Sequence, residues 1–301
     1  MVHQQVCGRN CAARADPLVN SLTPYERRGI TASMFSRRRA LVASMLAPLA
    51  GTLVLGRSAA ALAGPFEIID RVKRSVVAVG SFQKTRSPAF AFRGTGFVVG
   101  DGTLVATNAH VLPPVLDSQN QEMLTIALPA ADGGAAQVRV ARTIAVDSEH
   151  DLALIKVEGG RLAALELGNS ASVRDGASLL FTGYPIGTVL GLFPATHRAM
   201  VSAISPIAIP GLNARQLDTK TIKRLSGKRY PIMQLDATAF PGNSGSPLYE
   251  PESGKVVGVV NMVLVKESRE SALSQPSGIS YAIPIQSLID LLESTRSGAG
   301  N

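Results

Sequence analysis

Pro241-Gly242-Asn243-Ser244-Gly245-Ser246-Pro247 is a tight turn with glycine on both sides of a serine. Glycine at 242 lets the backbone aim its N–H inward with no side chain in the way. The amides of Gly242 and Ser244 can then converge on one point, where a negatively charged oxygen would be held. Taken alone, such a turn is as readily structural as chemical. A serine hydroxyl is a poor nucleophile near neutral pH unless a base stands beside it, and that base needs an orienting carboxylate.

Outward from this turn the chain is a succession of short β-branched runs broken by glycine and proline. They are Ser75–Val79, Thr95–Val99, Leu104–Thr107, Leu124–Leu128, Val138–Val146 and Leu152–Val157, then Ala177–Thr182, Ala199–Ile204, Ile232–Leu235, Val256–Val265 and Gly278–Ile283. Short strands at this spacing predict a sandwich or barrel rather than βαβ units. Two groups of them suit two packed six-stranded-type barrels, 64–175 and 176–293, in an all-β fold. One helix is expected at the carboxyl end, where Ile285, Leu288, Ile289 and Leu292 form an apolar stripe at i, i+3, i+4 and i+7.

Three histidines follow the leader-like first 63 residues: His110, His150 and His197. His110 comes directly after the strand Leu104–Thr107, where a strand end exposes a side chain into a cleft. His150 precedes Asp151 within a turn, and His197 is read as a loop residue beside Arg198, a poor setting for a base that must become cationic. Asp151 opens the strand-like run LALIKV and is the favoured carboxylate. Asp147 is the runner-up, with Ser148 and Glu149 marking an exposed loop around it.

The strings GTGFVV, TNAHVL, HDLALIKV, GYPIG, PGNSGSPL and SYAIP occur in the order found in bacterial trypsin-like serine proteases. The region from Val72 to Leu292 most resembles the protease domain of the HtrA/Deg family. That resemblance implies a two-barrel chymotrypsin-type fold with the site between the barrels. It also implies His110 as general base, Asp151 as its orienter, Ser244 as nucleophile, and the Gly242 and Ser244 amides as oxyanion hole. By the same alignment Thr238 and Ala239 lie at the base of the primary specificity pocket, with Val260, Asn261 and Met262 near its wall. No carboxylate stands at these positions, so small or medium aliphatic residues are the expected substrates of the pocket.

The sequence also departs from the family. HtrA proteins usually carry a peptide-binding PDZ domain after the protease, and the chain given ends before one. Ser246 replaces a glycine, so that Gly-Asn-Ser-Gly-Ser-Pro resembles glutamyl endopeptidases. The stretch where that branch places a substrate-reading histidine is Gly258-Val259-Val260-Asn261 here, which speaks against glutamate specificity. Asn243 stands where digestive relatives have an aspartate that pairs with a new amino terminus, so activation by further cleavage is not expected.

The amino terminus reads as an address. Arg37, Arg38 and Arg39 precede an uncharged apolar run from Ala40 to Gly56, and Ala61-Leu62-Ala63 is a small-x-small cleavage signal. The arginines also resemble a twin-arginine signal. Residues 1–33 read as a misassigned extension, 34–63 as the signal, and 294–301 as a tail. Export to the periplasm or beyond follows, with no stable membrane span after cleavage. The net charge of +8 sits largely in the leader, because residues 1–63 hold eight Lys/Arg against two Asp/Glu. The near-balance that remains argues against nucleic-acid binding. Both cysteines, Cys7 and Cys11, fall in the extension, and without further partners they do not predict a metal site. No cofactor is expected. The basic stretch from Asn213 to Tyr230 reads as a solvated loop. Protein or peptide substrates are the expected partners, and a protease-like chaperone that holds unfolded chains without cutting them is the alternative.

Overall fold

The computed structural model describes residues 64–128, 136–187, 191–206, 230–261 and 278–298. The leader segment, both cysteines, Met262, and all of the basic stretch except Tyr230 lie outside these residues. The chain opens with helix α1 (Pro65–Lys73), which the strand-by-strand reading of the sequence passed over. Its signals are local: proline in the first turn, Glu67 near the amino end, Arg71 and Lys73 in the last turn. Ile68 and Val72, four residues apart, are both buried.

Six strands follow: β1 (Val76–Phe82), β2 (Phe90–Val99), β3 (Leu104–Asn108), β4 (Met123–Leu128), β5 (Gln137–Asp147) and β6 (Leu152–Val157). They close into a barrel in the order β1-β2-β3-β6-β5-β4, with β1 pairing both β2 and β4. The second set is β7 (Ser178–Gly183), β8 (Ala195–Pro206), β9 (Pro231–Asp236), β10 (Pro247–Tyr249), β11 (Val256–Asn261) and β12 (Ile279–Pro284). These close in the order β10-β11-β12-β9-β8-β7. Helix α2 (Ile285–Gly298) ends the fold, with Ile285, Leu288 and Leu292 buried as the apolar stripe requires. The two-barrel architecture with a carboxyl-terminal helix is therefore the one expected, with α1 and the three-residue β10 added. Among the described residues no helix is long and apolar enough to cross a membrane.

Burial on both faces explains why so many strands are continuously apolar rather than alternating. Along β1, Val77 and Val79 join the interior of the first barrel. Val76 and Ala78 point the other way, into a core shared with Tyr184, Tyr249 and Val256 of the second barrel. In β6, Ile155 faces inward while Leu152 and Leu154 face the shared core. The second barrel has its own interior around Phe181, Val201, Met233, Leu235 and Leu248. Tyr184 threads the shared core and donates its hydroxyl to the Val76 carbonyl at 3.1 Å. The two barrels are therefore joined by a shared apolar core that braces the strands of both.

Candidate active site

His110 lies in a short 3-10 turn, Ala109–Val111, immediately after β3. Asp151 lies just before β6. Strands β3 and β6 pair from Leu104↔Lys156 to Asn108↔Leu152, so the register itself brings the two residues together. Asp151 adopts φ 55°, a left-handed conformation that a short polar side chain tolerates. In it, Oδ2 meets His110 Nδ1 at 2.6 Å and Oδ1 accepts the His110 backbone N–H at 2.9 Å. The Asp151 carbonyl also accepts from the Ala109 N–H and the Asn108 side-chain amide, each at 3.0 Å. Imidazole orientation is thus fixed at the ring and at the backbone. Burial alone would push the Asp151 carboxyl up. The His110 hydrogen bond and charge, the His110 backbone N–H and the Asn261 amide outweigh it and hold the carboxyl below its usual range.

Asn261, at the end of β11, donates from Nδ2 to Asp151 Oδ2 at 2.8 Å and is 1% exposed. Its side chain is thus engaged with the carboxylate, a partnership the sequence reading did not anticipate. The Val260 side chain is fully buried in the second barrel's interior, so only its backbone is available to a pocket wall. Ala239 is buried, and its N–H donates to Ser280 Oγ at 3.1 Å. Ser280 in turn donates to the Ala237 carbonyl at 2.6 Å, so the segment carrying Thr238 and Ala239 is pinned to β12. Thr238 is half-buried.

Ser244 sits in the turn between β9 and β10 and is 5% exposed. Gly242 has φ 101° and Gly245 φ 86°, values that exclude most side-chain-bearing residues. Space excludes them as well. A methyl group on Gly245 would lie 2.0 Å from the Thr95 carbonyl oxygen, and one on Gly242 would lie 2.3 Å from that of Tyr184. Peptide planarity then sets where the amides point, since C=O and N–H of a trans peptide are antiparallel. Pro241 O accepts from the Ile186 N–H at 2.8 Å, and Asn243 O accepts from the Ser246 N–H at 3.0 Å. The N–H groups of the same peptides, those of Gly242 and Ser244, are thereby turned to the opposite side. Ile186 itself has φ 49°, an outlier for a β-branched residue.

A closed ring of contacts joins the three residues. Gly245 N–H donates to the Val260 carbonyl at 2.9 Å, and the next residue, Asn261, holds Asp151, which holds His110. Val111 follows His110 and packs on Gly94, where a methyl would meet Val111 Cγ2 at 2.7 Å and the Ser244 carbonyl at 3.1 Å. His110, Asp151 and Ser244 are thus gathered at one seam between the barrels.

The other candidates are placed elsewhere. Asp147 pairs with His150 at 2.6 Å and accepts the Glu149 and His150 backbone N–H groups. It caps its own turn, with the His150 ring against Tyr230 at 4.4 Å. A cleft of about 380 Å³ lies beside this pair, lined also by Ser287, Asp290 and Ser294 of α2. His197 is not a loop residue. It lies on β8 opposite Phe181, and the two rings stack at 4.8 Å. Among the described residues its Nε2 is buried without a hydrogen-bond partner, and no three-residue cluster of metal-ligating side chains occurs.

Burial holds the His197 imidazole below its usual pKa. The folded state favours the neutral ring, while the unfolded chain takes up its proton near pH ~6.5. Stability from this residue is thus present above that pH and is lost as pH falls through the depressed folded value. A His197→Phe variant should gain in Tm relative to the parent as pH drops from neutral to mildly acidic. Parallel Tm-against-pH curves for the two proteins would refute the assignment.

The two closed barrels and the seam between them define a trypsin-like peptidase domain. Residues 94–259 match the trypsin-like peptidase domain family, more than half of the chain, and the chain belongs to that family. Its relatives are serine proteases of the HtrA and DegP type. A DegP-like periplasmic serine endoprotease of Pseudomonas putida strain GB-1 is 30% identical over 198 residues, 66% of this chain and 34% of the relative. The serine protease HhoB of Synechocystis is 27% identical over 204 residues, 66% of this chain and 39% of the relative. The chain spans about a third of the length of these curated relatives. The solved HtrA-type protease AlgW with a decapeptide shares the fold, with a TM-score of 0.55 at 21% identity over 78% of this chain and 68% of that one.

Proposed function

We propose that this chain is a serine endopeptidase working through His110, Asp151 and Ser244. The observation that carries the reading is the two-point grip of Asp151 on His110, closed into a ring with the Ser244 turn. Ser244 Oγ attacks the scissile carbonyl carbon as its proton passes to His110 Nε2, and the Gly242 and Ser244 amides take the oxyanion. His110 then returns the proton to the leaving amine as the C–N bond breaks. Water, deprotonated by the same imidazole, releases the acyl group and restores the serine. Asp151 stabilises the imidazolium without taking its proton.

Thr238 and Ala239 bring no charge to the specificity pocket, so the substrates proposed are peptides with a small or medium aliphatic residue, such as Val, Ala or Leu, before the cut. The arginine-led segment 34–63 and the periplasmic naming of relatives support work on exported proteins. A peptide library digested with the purified chain and read by mass spectrometry tests the specificity. Cleavage after Val, Ala or Leu is expected, and dominant cleavage after Arg or Lys would overturn it.

A further inference from the structure

We propose that Thr95 is a positioning residue for the oxyanion hole, clamping the Ser244 turn from the opposite barrel. This rests on the reading of Ser244 as nucleophile and adds to it a residue that never touches substrate. Thr95 lies on β2 and is fully buried. All its polar groups act in one place. Its hydroxyl donates to the Gly242 carbonyl at 2.6 Å and accepts the Tyr184 N–H at 3.0 Å. Its backbone N–H donates to the Ser244 carbonyl at 2.9 Å. Its own carbonyl accepts the Thr107 hydroxyl at 2.7 Å, which ties the clamp to β3.

Glycine at 242 makes such a clamp necessary. The residue must take a positive φ, and the same freedom lets its two flanking peptides rotate. Ile186 holds the peptide before it through Pro241 O. Thr95 holds the peptide after it through Gly242 O. With both fixed, the Gly242 N–H keeps one direction before any substrate arrives, which is the preorganisation that oxyanion stabilisation depends on. The two bonds made by the Thr95 side chain are the part of the clamp open to mutation, since the backbone N–H bond to Ser244 survives any substitution but proline.

The location predicts a particular kinetic signature. The hole binds charge that develops only in the transition state, so its disorder lowers kcat and leaves KM largely unchanged. Thr95→Val keeps the branched shape and removes both side-chain bonds, whereas Thr95→Ser keeps both. The expected fall in kcat is about 10- to 100-fold for valine, less than the loss of a whole donor, with serine within about threefold of the parent. Affinity for a peptide-aldehyde transition-state analogue should fall in parallel with kcat for valine and stay near the parent for serine.

The experiment measures kcat, KM, aldehyde affinity and Tm for the full chain and for the Val, Ser and Cys variants. Thr95→Cys, a weak donor of similar size, decides the matter if valine gives no cooperative melt, and it should fall between serine and valine. A valine variant with parental kcat would overturn the proposal. So would a loss expressed in KM alone, or serine losing as much as valine. A parent that neither cleaves peptides nor binds the aldehyde would overturn the endopeptidase reading itself, so the two failures are distinguishable.

Discussion

Replacement of Ser244 by alanine is expected to lower kcat by about six orders of magnitude. The change deletes one oxygen from a side chain that is 5% exposed. The turn around it is held by backbone bonds the mutation leaves alone: Thr95 N–H to Ser244 O, Ser246 N–H to Asn243 O, and Gly245 N–H to Val260 O. The melting temperature should therefore stay near the parent's while turnover disappears. A fluorophosphonate probe, which forms a bond only with an activated hydroxyl, should label the parent and not the variant. Persistent labelling or hydrolysis in the alanine protein would assign the nucleophile elsewhere. A parent that resists labelling would favour a protease-like binder that holds chains without cutting them.

Asp151→Asn is the second large effect, a fall in kcat/KM of about 10⁴. Asparagine tolerates the left-handed φ at this position, so the backbone has no reason to move. What changes is the partnership at the imidazole. The aspartate accepts from the His110 backbone N–H, from Nδ1 and from Asn261. An amide cannot accept from all three, and it turns an NH₂ toward a donor, favouring the wrong imidazole tautomer. Probe labelling should slow along with peptide hydrolysis, since both need the same base. Asp147→Asn is the matching control. Its partner is His150, so hydrolysis should be unchanged and only stability should respond. Equal losses in the two variants would contradict the assignment of the acid.

Both barrels and the seam residues were legible in the sequence because they depend on local patterns. The runs of β6 and β3 are long enough to announce strands, and their pairing carries Asp151 to His110 without further instruction. The sequence left Asp147 open as an alternative, and only the register separates it. β10 escaped notice because its three residues, Pro247–Tyr249, continue the turn with no period of their own. His197 looked like a loop residue because the strand-like run began only at Ala199, yet β8 starts at Ala195 and its alternation sends Arg198 out and the imidazole against Phe181. Asn261 and Thr95 carry little local signal. Each was visible as part of a strand-like run, but its partner lies on the other barrel, over 100 positions away in the chain. No window along the sequence can display such a contact.

That long reach bears on when the proposed activity can appear. The proposed base and its carboxylate come from the first barrel, and the serine turn and Asn261 come from the second. A chain with only its first half folded has an imidazole with no hydroxyl to activate. An isolated second half has a hydroxyl with no base. If the triad acts as proposed, cutting power arises only when the two halves meet, and a half-folded molecule cannot digest its neighbours or itself. For the endopeptidase proposed, the split between barrels is a built-in delay that needs no inhibitor.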